Sequence, residues 1–259
     1  MSSSVISEIR AGGVAAVTLN RPEVHNAFDE HLIADLTGIF GELGQDDGLR
    51  VVVLAGNGKS FCAGADLNWM RRTAAYSQQE NLEDALRLAR MMRSLNVLSK
   101  PTIAKVHGAA FGGGVGLVAC CDIAIAAESA VFSFSEVRLG LLPAAIGPYA
   151  LAAIGARNAR RYFLSGERFS AEEARRIGLV HEVVPAEELD ARVSAVLAEL
   201  LKGGPRAQQA CKAFLADIHG KPLDDGLIHY TSESIATRRA SEEAQEGVNA
   251  FLEKRPPSW

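Results

Sequence analysis

From Val14 to Asn20 the chain reads Val-Ala-Ala-Val-Thr-Leu-Asn, a short apolar run that predicts a strand, and Arg21-Pro22 breaks it. A second run from Arg50 to Leu54, apolar after its first residue, predicts another strand and ends on Ala55-Gly-Asn-Gly58. Between them Leu32, Leu36, Ile39, Phe40 and Leu43 recur at helical spacing, so one stripe of a helix should face a sheet. Leu82, Ala85, Leu86, Ala89 and Met92 repeat that spacing, and Lys100-Pro101 closes the segment before a third strand, Thr102 to Val106. Gly112-Gly-Gly114 then leads into a short apolar stretch, Val115 to Cys121, and Asp122 to Ala127 predicts a fourth strand. Strands and helices alternating in this way imply right-handed crossovers and a parallel sheet.

Beyond about residue 142 the pattern turns helical. Ser170-Ala-Glu-Glu173 has the spacing of a capping box, Gly178 is placed to stop that helix, and Leu189 to Leu201 is amphipathic. Lys202-Gly-Gly-Pro205 marks a linker, so residues 1–200 are read as an α/β core carrying the site and 201–259 as a helical C-terminal region. No internal repeat is visible.

Length and composition narrow the class. A chain of 259 residues with 48% hydrophobic and 22% charged residues suits one compact α/β unit with a small appendage. A net charge of −4 and the lack of a basic stripe argue against nucleic acid as a partner. Four cysteines without CxxC spacing indicate neither a zinc knuckle nor a disulfide framework, and six scattered histidines offer no paired metal ligands. The first ten residues lack the pattern of a signal or transit peptide, and no uncharged run reaches the ~20 residues of a membrane span. The expectation is a cytoplasmic protein with reduced thiols and with no metal or membrane partner.

Three segments carry candidate chemistry: Phe61-Cys-Ala-Gly-Ala-Asp-Leu67, His107-Gly-Ala-Ala-Phe-Gly-Gly-Gly114 and Phe134-Ser-Glu-Val-Arg-Leu-Gly140. Each follows the C-terminal end of a predicted strand, the edge of a parallel sheet at which ligands bind. A glycine run opening a helix lets backbone N–H groups approach an anion, although the same run also permits tight helix packing. Gly56-Asn-Gly-Lys-Ser60 partly matches a phosphate-binding loop, but Val53 stands where that loop needs glycine, and the GGGVG run lacks dinucleotide spacing. His107 is read as a satisfied polar residue, since no nucleophile motif accompanies it, and Cys120-Cys121 as core.

At these residues the chain resembles the crotonase superfamily, the enoyl-CoA hydratases and isomerases, from about Val14 to Arg255. Segment 61–66 is similar to the family's first oxyanion segment and Gly112 to Gly114 to its second. Gly178-Leu-Val180 and Ala250-Phe-Leu-Glu-Lys-Arg255 are similar to landmarks in its helical part. The resemblance implies a crotonase-type α/β spiral of ββα units with a helical C-terminal trimerisation region, and a homotrimer or dimer of trimers. It implies that the amides of Ala65 and Gly113 form an oxyanion hole. It also implies that an acyl-coenzyme A substrate lies against Ala63, Ala65, Asp66, Leu67, Asn68 and Gly113, with Phe251 and Lys254 reaching the coenzyme from the same or a neighbouring subunit. Coenzyme A is then part of the substrate and no separate cofactor is implied.

The family's hydratases carry two glutamates. Here the first position is Gly116, and only the second is retained, as Glu136. Flanked by Phe132, Phe134, Val137 and Leu139, Glu136 would be partly desolvated and raised in pKa, whereas spacing alone suggests a surface pair with Arg138. Pro143-Ala-Ala-Ile-Gly-Pro148 departs from the family's glycine-richer stretch and suggests a reshaped acyl pocket. Hydration of a 2-enoyl-CoA is the leading reading. Residues 113–122 and 135–141 most resemble hydratases of branched glutaconyl thioesters such as 3-methylglutaconyl-CoA. A double-bond isomerase with Glu136 as sole base is the alternative, and a non-catalytic, RNA-associated relative is a third reading that the acidic balance disfavours.

Overall fold

A computed structural model describes residues 3–259. Strands β1 (Val5–Arg10) and β2 (Val14–Leu19) form an antiparallel hairpin whose turn passes through Gly12 and Gly13 at φ of 80° and 73°. Helix α1 (Glu30–Gln45) follows, capped by the Asp29 side chain on the Leu32 amide, and then β3 (Val51–Gly56), α2 (Leu67–Thr73), α3 (Gln78–Asn96) and β4 (Thr102–Val106). The chain continues through β5 (Ala109–Phe111), α4 (Gly113–Cys120), β6 (Ile123–Ala127), β7 (Val131–Ser133) and α5 (Gly147–Ser165). Next come β8 (Phe169–Ser170), α6 (Ala171–Arg176), β9 (Glu182–Val184) and α7 (Leu189–Leu201), and the end of the chain adds α8 (Pro205–Ile218), α9 (Asp225–Arg239) and α10 (Glu242–Leu252).

The strands make two sheets, one of six in the order β1-β2-β3-β4-β6-β9 and one of three in the order β5-β7-β8. From β2 to β9 every pairing in the larger sheet is parallel, as the alternation of elements implied. Its central strands β3 and β4 are mostly apolar because both faces are covered, with Thr102 and Lys105 of β4 as the polar exceptions. Val52, Leu54 and Ala104 face the main core, whereas Val51, Ile103 and Ile125 pack against Leu189 and Val193 of α7.

Strand β4 passes into β5 across His107-Gly108, and β6 into β7 across residues 128–130, so each pair steps from the large sheet to the small one before its helix. These steps are the ββα units. At Gly108 (φ 59°) a side-chain carbon would lie 2.0 Å from the Lys59 carbonyl oxygen, so no other residue fits that step.

Several elements differ from the sequence reading. Strand β1 escaped because only Val5 of its six residues is buried, and β5, β7, β8 and β9 are too short to show a period. Helix α3 exists, but it buries Asp84, Met91, Met92 and Leu95, while Leu82 and Leu86 of the anticipated stripe are 53% and 39% exposed. At α6 the Ser170 side chain accepts from the Glu173 amide, yet the Glu173 carboxylate turns to Tyr162 and Arg176 instead of completing the box. The complete capping box is Ser77 with Glu80, at α3. Gly178, at φ 89°, ends α6 as expected.

Helices α8 to α10 pack on one another and attach to the rest through Arg50, which donates to the Gly203 carbonyl (2.5 Å), and Lys212, which pairs with Asp122 (2.7 Å). They enclose a largely apolar groove of about 880 Å³ beside Ala207, Cys211, Phe214, Tyr230, Ile235 and Trp259. Among the described residues no helix is long and apolar enough to cross a membrane.

Candidate active site

The first wall of the site is the segment from Phe61 to Asp66. Its start lies along β5, with the Phe61 amide donating to the His107 carbonyl (2.9 Å), the Cys62 amide to Ala109 (3.0 Å) and the Phe111 amide to Cys62 (2.9 Å). Further on, the Gly64 carbonyl accepts from the Phe28 amide (2.7 Å) and the Asp66 amide donates to the Phe28 carbonyl (2.8 Å). Because extended backbone alternates direction, bonding Gly64 and Asp66 to Phe28 turns the intervening Ala65 amide the other way.

Asp66 holds that geometry. Its buried carboxylate caps α2 by accepting from the Asn68 (2.8 Å) and Trp69 (3.2 Å) amides, and it pairs with Arg21 (3.2 Å), which also pairs with Asp29 (2.9 Å). Burial alone would raise its pKa, but the two amides and the Arg21 guanidinium outweigh burial and hold it below the usual aspartate range.

The second wall is the start of α4. Gly112, at φ 49° and ψ −119°, sets the turn, and its amide donates to the Ser133 carbonyl (2.9 Å). Gly113 is the first residue of the helix, where an amide has no intrahelical acceptor. Among the described residues neither the Ala65 nor the Gly113 amide has a hydrogen-bond acceptor. The two walls touch: a side-chain carbon on Gly114 would sit 2.3 Å from the Cys62 oxygen, and one on Gly112 would sit 3.9 Å from the Gly64 Cα. The glycine run therefore brings helix start and loop together, and the two free amides belong to adjoining backbone.

Glu136 places a carboxylate against the start of the second wall, at Gly112. It lies in a single 3-10 turn, Ser135–Leu139, anchored by buried Phe134 against Phe163 (ring centroids 4.6 Å) and ended by Gly140 at φ 72°. Its Oε1 is 3.2 Å from where a Gly112 side chain would begin, and its Oε2 is buried without a hydrogen-bond partner. Burial raises the carboxyl pKa, opposed only by a bond from its own amide. Among the described residues Glu136 has no salt-bridge partner. Arg138 is exposed and its stem lies instead against Gly166 (3.1 Å from a carbon placed there), so the surface pair that spacing suggested does not form. Of the apolar flank, Phe132 and Phe134 are buried, whereas Leu139 is exposed.

At Gly116 the first carboxylate of the two-acid pattern has no room. A side-chain carbon there would meet Ile146 Cγ2 at 2.2 Å, Ile146 Cβ at 2.9 Å and Met92 Cε at 3.1 Å. Next to Gly113 the neighbours are Phe28 Cε2 (2.8 Å) and again Met92 Cε (3.8 Å). Phe28, Met92 and Ile146 are all buried, so an apolar wall backs the first turn of α4.

Of the residues assigned to the coenzyme, Ala63, Ala65 and Asp66 lie in one loop, and Leu67 and Asn68 open α2 directly after it. The Ala63 amide donates to the His25 carbonyl (3.0 Å), Leu67 is 70% exposed on the rim, and Asp66 is a buried cap and not a free ligand. Phe251 (82% exposed) and Lys254 (φ 56°) lie at the end of α10, which packs on α8 and α9. Within one chain the structure does not bring them to Glu136. His107 bonds the Gly58 carbonyl (2.9 Å), as the satisfied reading held, and Cys120 is core.

The sequence reading missed the turn after Arg21. His25 and Asn26 have positive φ, and the buried Asn26 amide nitrogen donates to the Asn57 (2.9 Å) and Ser60 (2.8 Å) carbonyls, fixing the loop that leads to Phe28. An asparagine shortly after Arg-Pro, tolerant of the left-handed region, was the available signal. The large groove among α8 to α10 shares none of the residues of this site.

Comparison with known proteins gives the family and the fold. The family profile described as Enoyl-CoA hydratase/isomerase matches residues 9–259. The crystal structure of an enoyl-CoA hydratase from Shewanella pealeana superposes at a TM-score of 0.96 with 44% identity, covering 99% of this chain and 96% of that one. An enoyl-CoA hydratase from Mycobacterium smegmatis (TM-score 0.94, 34% identity, 100% and 99% covered) and an enoyl-CoA hydratase/isomerase from Marinobacter aquaeolei (0.93, 34%, 100% and 99%) are similar throughout. The chain has the crotonase fold and belongs to the enoyl-CoA hydratase/isomerase family.

Proposed function

We propose that this enzyme moves protons on the acyl group of a coenzyme A thioester, with Glu136 as the acid-base group and the Ala65 and Gly113 amides holding the thioester oxygen. The observation that carries this is the Glu136 carboxylate, one oxygen of which is buried without a hydrogen-bond partner, against Gly112 next to two amides, of Ala65 and Gly113, that lack acceptors among the described residues. Removing a proton from C2, or adding water across a conjugated double bond, places negative charge on the thioester oxygen. Two preformed donors answer that charge, and losing one such donor typically costs about 10²–10³ in rate.

The leading reaction is reversible addition of water to a 2-enoyl-CoA. Glu136 takes a proton from water as its oxygen attacks C3, the electron pair moves to the thioester oxygen, and the enolate collapses as Glu136 returns that proton to C2. The similarity of residues 113–122 and 135–141 to branched-glutaconyl hydratases supports a substrate such as 3-methylglutaconyl-CoA. A second reading is favoured by the packing at Gly116, which leaves Glu136 without a carboxylate partner. Here Glu136 lifts the C2 proton of a 3-enoyl-CoA and returns it to C4, so the double bond moves into conjugation and no water is consumed.

The adenosine end would lie along Ala63 to Asn68. Phe251 and Lys254 would come from a neighbouring copy in a homotrimer or dimer of trimers, a reading supported by the packing of α10 on α8 and α9 within its own chain. The test is to incubate the protein separately with a 2-enoyl-CoA and a 3-enoyl-CoA, following conjugated-thioester absorbance and product mass. Gain of water from the first supports hydration, and conjugation at constant mass from the second supports isomerisation. No turnover of either would refute both.

A further inference from the structure

Gly113 and Gly116 lie one turn apart on the same face of α4, and the Met92 methyl touches the space beside both. Ile146 closes that space at Gly116. It is 2% exposed and occupies the N-cap position of α5, so its backbone is fixed by the helix that follows. A β-branched side chain is stiff about its first torsion, and with Cβ itself 2.9 Å from the added carbon, no rotation of Ile146 would admit a longer residue at position 116. The glycine and the isoleucine are thus a matched pair in volume. Phe28, Met92 and Ile146 also offer no hydrogen-bonding side-chain groups, and a held water needs two to four polar partners.

We propose that Ile146 is a specificity-determining residue, which walls the acyl pocket beside the first turn of α4 with a dry aliphatic surface and excludes a second acid. The proposal rests on the reading of Glu136 and the two amides as the reacting centre. Its consequence is selectivity by size and polarity. The acyl group meets aliphatic packing at Ile146 and Met92, and every proton transfer falls to Glu136.

Binding tests this without turnover. Saturated acyl-CoA thioesters of increasing length, with one branched member, are titrated calorimetrically into wild type, Ile146→Val and Ile146→Ala. Affinity for the longer and branched thioesters relative to acetyl-CoA should rise about tenfold or more in Ile146→Ala, the scale of a methylene or two in an apolar pocket, with Ile146→Val intermediate. Gly116→Glu should raise hydration of a 2-enoyl-CoA only in the Ile146→Ala background, by about 10²-fold, the lower range for an added acid-base group. An unchanged affinity ratio in both Ile146 variants overturns the proposal, and if Ile146→Ala fails to fold, Ile146→Val decides alone. Normal binding with full turnover in Glu136→Gln would refute the catalytic reading while the affinity ratios still judge Ile146. Failure of wild type to bind any acyl-CoA would overturn both.

Discussion

Replacing Gly114 with alanine perturbs the contact between the two walls of the site without touching a proposed reacting group. The new carbon would sit 2.3 Å from the Cys62 carbonyl oxygen and 3.0 Å from Cys62 Cβ. Ordinary contact needs about 3.5 Å, so helix and loop must part by about 1 Å. Cys62 resists, because its amide bonds Ala109 (3.0 Å) and its carbonyl accepts from Phe111 (2.9 Å); the start of α4 must therefore carry most of the shift. Overpacking of this kind costs about 1–3 kcal/mol, which lowers Tm by about 2–12 °C in a chain of this size. Moving the Gly113 amide by about 1 Å relative to Ala65 should reduce kcat about 10²-fold. Calorimetry and steady-state kinetics on the enoyl-CoA that wild type turns over would measure both effects. Gly38→Ala is the control: it lies in α1 with nothing within 4 Å of the new carbon, and it should gain about 0.5–1 kcal/mol with unchanged kcat. Wild-type kcat and Tm in Gly114→Ala would refute the reasoning.

Because burial raises the Glu136 pKa, kcat/KM for a reaction that needs its carboxylate should rise with pH along a limb lying above the ordinary glutamate range. The same shift makes the folded state favour the protonated form, so its stabilising contribution is present below the unfolded pKa and lost as pH rises through the folded one; Glu136→Gln should therefore gain stability over wild type as pH increases, as denaturant titrations at several pH values would show. Asp66 has the opposite sign, its folded pKa being depressed, so its contribution is present above the ordinary aspartate value and lost as pH falls through the folded pKa. Asp66→Ala, which removes the α2 cap and a partner of Arg21, should lose about 1–2 kcal/mol at neutral pH, and the gap to wild type should close in acid. Lys254→Ala should raise KM for acyl-CoA with little change in kcat, and the effect should fade with added salt; an unchanged KM would make the C-terminal segment purely structural.

The parallel strands β2, β3, β4 and β6 were legible because burial on both faces leaves an apolar run that no loop carries. The small sheet was not, since segments of two or three residues are held by partners distant in sequence, such as Phe132 opposite Phe169, and leave no periodic trace. Leu82 and Leu86 misled for a related reason. Their spacing is helical, but spacing cannot say which of two neighbouring faces the core will take, and Asp84 and Leu95 lie on the buried one. At the candidate site the glycine run and Glu136 stood out through their place after strand ends and through family likeness. Phe28 and Met92 did not, and the stretch 143–148 drew notice with Gly116 only as a departure from the family, because the meeting of Phe28, Met92 and Ile146 beside α4 joins positions far apart in the chain.

The central claim is that Glu136 moves the proton while backbone amides hold the thioester oxygen. Glu136→Gln keeps the shape of the side chain and removes its capacity to accept a proton, so it tests that claim most directly when kcat on an enoyl-CoA and Kd for a saturated acyl-CoA are measured together. The account predicts a fall in kcat of about 10²–10⁴ with Kd nearly unchanged. Turnover at the wild-type rate in a variant that still binds acyl-CoA would contradict it.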